Sequence, residues 1–64
     1  MLHDYSESLV LAKQALVLAE NEAALHRWAR ARGYLYEAER YCAAALQGVD
    51  REIEKLVDRQ ARVA

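Results

Sequence analysis

Between Leu9 and Ala19 the chain reads Leu-Val-Leu-Ala-Lys-Gln-Ala-Leu-Val-Leu-Ala, a helix-forming stretch whose large apolar side chains do not keep to one side. Leu11, Ala15, Leu18, Glu22, Leu25 and Ala29 fall on one seam. Leu9, Ala12, Leu16, Ala19, Ala23 and His26 fall on an adjoining one, and Val10, Val17, Ala24 and Trp28 on a third side. Only Lys13, Gln14, Glu20 and Asn21 interrupt the belt. A helix that is apolar nearly all round belongs in the middle of a bundle, and its alanines let neighbours approach closely. The first helix is therefore expected to be central and the second peripheral.

The second half carries one narrow seam. Leu35, Glu39, Cys42, Leu46, Val49, Ile53, Leu56, Gln60 and Val63 recur in alternating steps of four and three, the heptad spacing of a helix packed along one line. Asp4 and Glu7 have capping-box spacing, with Ser6 a competing cap, so the first helix is expected to begin near residue 5. Arg27, Arg30 and Arg32 gather just before Gly33, as cations gather over the last turns of a helix that ends in glycine. Glu37 and Glu39 follow in what reads as the first turns of the next helix. The turn is accordingly placed near Gly33, giving an all-α, two-helix antiparallel hairpin with arms of roughly 28–30 residues, about 42–45 Å each. Gly48 lies in register and reads as a tolerated glycine costing about 1 kcal/mol relative to alanine. The alternative is three short helices with a second break at Gly48, the third opening on Asp50, Glu52 and Glu54. Along the C-terminal arm, Glu52 to Lys55 and Asp58 to Arg62 have ion-pair spacing.

The chain has 64 residues, 55% hydrophobic and 30% charged, with thirteen alanines and neither proline nor phenylalanine, a composition of helices rather than sheets. Residues 1–64 are read as a single helical-hairpin domain. Below roughly 70–80 residues a single core rarely supplies more than about 3–5 kcal/mol without a staple. Cys42 is alone, which rules out a disulfide within the chain, and no cysteine or histidine cluster has zinc spacing. Self-association is what remains. Two hairpins pairing through Leu9, Val10, Leu16, Val17, Ala23 and Ala24 of the first helix would make a homodimeric four-helix bundle.

The formal net charge of −1 offers no general basic field to nucleic acid or to an anionic membrane. No apolar run reaches the length of a membrane span, and no signal-peptide pattern opens the chain, so a cytoplasmic protein without membrane contact is expected. Cys42 reads as a small buried apolar residue. His26 shares a face with Glu22 and Arg30 but lacks further metal ligands, and neither it nor His3 has a visible nucleophile nearby. No enzyme activity, metal, cofactor or small-molecule substrate is expected.

One region stands apart. Arg27, Trp28, Arg30, Arg32, Tyr34, Tyr36, Arg40 and Tyr41 concentrate the side chains most enriched at binding hot spots. They form the candidate partner-binding site. The competing structural account is that Trp28, Tyr34 and Tyr41 close the end of the bundle while the arginines serve the helix dipole. The resulting expectation is a small protein–protein interaction module, an adaptor, chaperone-like or inhibitor protein of the kind that phages and mobile elements encode, acting as a homo-oligomer on another protein. The alternative is a nucleic-acid-binding regulator in which Arg27, Arg30, Arg32 and Arg40 contact phosphates while tyrosines stack on bases.

In size and layout the chain resembles the small plasmid RNA-binding hairpins of the Rop type, which implies a dimeric four-helix bundle; no functional residue carries across. Gly33, Leu35, Ala38, Cys42, Ala45 and Leu46 resemble the small-residue pattern in the second helix of a tetratricopeptide repeat, over about fourteen residues. Glu22 and His26 stand where that repeat has its Trp and Gly, and no second copy follows.

Overall fold

The computed structural model describes residues 4–63, with side chains for 5–61. Two helices, α1 (Asp4–Ala24) and α2 (Trp28–Val63), fold back on one another as an antiparallel hairpin, with no strand among the described residues. α1 opens at Asp4, so Ser6 lies inside the helix and not at its cap; His3 lies outside the described residues, as do the side chains of Asp4, Arg62 and Val63.

The turn is not at Gly33. The chain reverses over Leu25, His26 and Arg27, and His26 takes the left-handed conformation, with φ of 59°. Its neighbours close the helix in the Schellman pattern: Arg27 N donates to Glu22 O at 2.9 Å and His26 N to Ala23 O at 3.0 Å. Histidine serves here in the position that glycine usually takes, at a local steric cost of about 1–2 kcal/mol. Ala31 N donates to Arg27 O at 3.0 Å, so the arginine carbonyl opens α2. Gly33 is an ordinary residue inside α2, and no described glycine has positive φ. The last turn of α1 has no basic residue and the first turn of α2 no acidic one, so Arg30 and Arg32 sit near the positive end of a helix rather than the negative end.

Because the turn comes early, the arms are unequal. α1 has 21 residues and α2 has 36, running unbroken through both Gly33 and Gly48. The three-helix alternative is thereby excluded. Gly48 lies against Tyr5, so α1 pairs with only the first two-thirds of α2, and residues 49–63 project past Tyr5 as an overhang of about 22 Å. The hairpin measures 57 × 20 × 12 Å.

What fills the seam between the helices also differs from expectation. The buried residues are Ala12, Ala15 and Ala19 on α1 and Ala31, Ala38, Ala45 and Gly48 on α2; no described large side chain is buried. The α1 stripe runs between the two leucine seams, taking Ala15 from one and Ala12 and Ala19 from the other. On α2 the alanines recur every seven residues, with Tyr34 and Tyr41 between them and Gly48 three residues after the last. The Tyr5–Gly48 contact sets the register, and counting along both helices places Ala12 level with Tyr41 and Ala19 level with Tyr34. Small faces large at each of those levels, which fills the seam while keeping the helices close.

Candidate functional site

Displacing the packing onto alanine leaves most of the leucines outside, Leu11 alone of those described being half-buried. Leu9, Val10, Leu16, Val17 and Leu18 of α1 and Leu25 of the turn are exposed, and so are Leu35, Leu46, Val49, Ile53, Leu56 and Val57 of α2. Cys42, expected in a core, is exposed as well. The heptad seam read from the sequence of α2 therefore exists as a helical stripe, but it is not the stripe that α1 covers. Leu46 in its middle is 62% exposed, whereas Ala45 beside it is 4% exposed.

Heptad geometry relates the two stripes of α2. Ala31, Tyr34, Ala38, Tyr41, Ala45 and Gly48 occupy the positions facing α1. Trp28, Leu35, Cys42, Val49 and Leu56 follow one residue after the second position of each heptad, with Leu46 and Ile53 filling in behind them. The centres of the two stripes lie about 100° apart around the helix. That is the angle at which one helix packs against two neighbours in a bundle.

The residues expected at a binding tip are distributed along α2 and not gathered at one end. Trp28 to Tyr41 spans about 20 Å of helix. Tyr34 and Tyr41 are half-buried in the seam against α1, while Arg30, Arg32, Tyr36 and Arg40 are exposed. Trp28, 64% exposed, stacks on His26 with ring centroids 5.5 Å apart and planes 18° from parallel. Arg27 reaches back across the turn to Glu22, Nη1 to Oε2 at 3.6 Å, and that carboxylate oxygen is buried with no hydrogen-bond partner. Arg27 thus latches the turn. Ala23, expected in the dimer interface, is half-buried, and Ala24 is exposed.

No grouping of His, Cys, Asp and Glu able to hold a metal occurs among the described residues, and no described helix is long and apolar enough to cross a membrane. Two surface depressions, one along Lys13, Gln14, Val17 and Leu18 on α1 and one along Arg30, Gly33, Tyr34 and Glu37 on α2, are open ones. The expected ion pair Glu52–Lys55 forms at 3.4 Å. The chain matches no protein-family model, and comparison with curated proteins and with solved structures finds no match.

The outer stripe of α2 is the feature that the sequence exposed in periodicity but not in role. Its signal was the large-residue heptad itself; the competing signal, alanine or glycine at 31, 38, 45 and 48, is weak on any hydrophobicity scale.

Proposed function

We propose that this chain is a helical protein–protein interaction module that works as a homo-oligomer and presents the remaining exposed aromatic and arginine side chains to another protein. The observation that carries the reading is the inversion of its packing. Every buried apolar side chain described is an alanine; Leu11 is half-buried, and the other leucines, the isoleucine and the valines whose side chains are described are exposed. Burying a leucine, valine or isoleucine side chain contributes about 1.5–3 kcal/mol, and an alanine seam forgoes most of that. A second protein surface restores it. The dimer expected from the sequence belongs to this reading, as does a binding, non-catalytic role.

Sedimentation equilibrium combined with circular dichroism on dilution tests it: an obligate oligomer loses helix content as concentration falls. A monomer that melts cooperatively at every concentration overturns it. Tyr36→Ala tests the partner-facing part separately, since Tyr36 is 61% exposed and falls on neither stripe of α2. This change should leave the assembly intact and weaken capture of a purified partner.

A second reading, a nucleic-acid-binding regulator, draws support from one observation. Arg27, Arg30 and Arg32 stand at the positive end of α2 beside exposed Trp28 and Tyr36. Fluorescence anisotropy with single-stranded oligonucleotides decides it. Affinity falling steeply with salt supports that reading, and no binding at low salt removes it.

A further inference from the structure

The chain exposes 5519 Å². A compact folded monomer of its 7.3 kDa exposes about 4,200 Å². The surplus of about 1,300 Å² per chain exceeds the roughly 800 Å² that each partner buries in an interface of standard size. A dimer interface of standard size fits within that surplus, and the placement of the apolar residues over the hairpin bears on how such a dimer is built.

In an antiparallel helix pair, the positions flanking the contact stripe on one side of one helix lie beside the equivalent positions of the other. That rule places Leu9 and Leu16 of α1 on the same side of the hairpin as Leu35 and Cys42 of α2. Together they line a shallow apolar groove along the first two-thirds of α2. The rest of the stripe, Val49, Ile53 and Leu56, lies toward or on the overhang, where no described residue of α1 stands beside it. One half of the molecule is therefore a groove lacking a third helix. The other half, among the described residues, is an apolar helix with no α1 beside it. The paired part of α2, about 31 Å long, has room for the overhang of about 22 Å.

Resting on the reading that protein covers the exposed apolar faces, we infer that the occupant of this groove is the overhang of a second copy of the chain. The two α2 helices run antiparallel about a two-fold axis near Leu46, the middle of the 36-residue helix. Each overhang lies as a third helix between the partner copy's α1 and α2. The contact is isologous and closes on itself, so it yields a dimer and not a filament. Running the two helices parallel instead would set Glu39 against its own copy within the stripe and leave both grooves empty. Unequal arms thus give two three-helix ends joined at a dyad, with four helices side by side only near the middle, in place of an even four-helix bundle.

The test is a distance measurement on the full chain. Spin labels on Gln60→Cys, in a Cys42→Ser background, should lie about 40–45 Å apart in the antiparallel dimer and within about 15 Å in a parallel one. In parallel, Ile53→Asp with Leu56→Asp should shift the chain from dimer to monomer in sedimentation. These changes lie on the overhang and leave the α1–α2 seam untouched. A dimer whose labels sit close together, or one that survives the paired aspartates, overturns this arrangement while leaving the interaction reading in place. A well-folded monomer of the unaltered chain removes both.

Discussion

The Cβ that an alanine would carry at Gly48 falls 2.8 Å from Tyr5 Cβ and 3.3 Å from Tyr5 N, so the first turns of α1 rest on glycine backbone. No flexible side-chain tip stands there to yield; the helices themselves must part. At Gly33 an added Cβ meets nothing within 4 Å.

The two glycines of one helix should therefore respond to alanine with opposite signs. Gly33→Ala should raise stability by about 0.5–1 kcal/mol through helix propensity alone. Gly48→Ala gains the same propensity but incurs an overpacking cost of about 1–3 kcal/mol, so the net effect is a loss. Thermal unfolding at one fixed chain concentration reads both, at about 4–8 °C per kcal/mol for a domain of this size. Equal stabilisation by the two substitutions would refute the close approach at Tyr5.

At the turn the expected order of stability is His26→Gly, then the unaltered chain, then His26→Val. Glycine removes the left-handed penalty of about 1–2 kcal/mol, less the stacking on Trp28 and the freedom it adds to the unfolded chain. Valine adds a β-branch to a backbone conformation that such residues rarely adopt. Urea midpoints of the three chains at equal concentration give the order, and a valine variant as stable as the unaltered chain would contradict the left-handed turn.

The alanine seam sets a third expectation. Ala38, 4% exposed and inside the contact with α1, has no room for a larger side chain. Ala38→Leu should cost about 1–3 kcal/mol by forcing the helices apart, even though it adds apolar surface and keeps helix propensity high. Ala43 on the same helix is exposed, and Ala43→Leu should change stability by no more than about 0.5 kcal/mol. Chemical denaturation distinguishes the two.

The helical class, the hairpin and the surplus of apolar surface were legible because they rest on composition and on a heptad of large residues. The turn was not, because its left-handed residue is His26 and the nearest glycine, Gly33, is spent inside a helix. The seam was not, because a line of Ala31, Ala38, Ala45 and Gly48 weighs little in a hydrophobicity pattern beside Leu35, Leu46 and Ile53. Yet close approach depends on how little a side chain protrudes, so the smaller residues took the contact within the chain. Of the proposed binding residues, Tyr34 and Tyr41 went to that same contact for a related reason: their rings fill the levels opposite alanine. Trp28, Arg30, Arg32, Tyr36 and Arg40 remained outside.

Two exposed stripes compete for the role of self-association surface, and one pair of charge insertions separates them. Val17 lies on the side of α1 facing away from α2 and is 54% exposed, while Leu46 stands midway along the outer stripe of α2. Pairing through the first helix, as the sequence suggested, would bury Val17. Pairing through α2 would bury Leu46 beside the dyad and leave Val17 in water. Val17→Lys should then leave the dimer dissociation constant within about threefold, because a surface change away from a contact moves the free energy by no more than about 0.5 kcal/mol. Leu46→Lys sets two unpaired ammonium groups in an apolar interface and should raise that constant at least a hundredfold, about 2.7 kcal/mol or more. Sedimentation velocity across a concentration series measures both, and the reverse result would return the interface to α1.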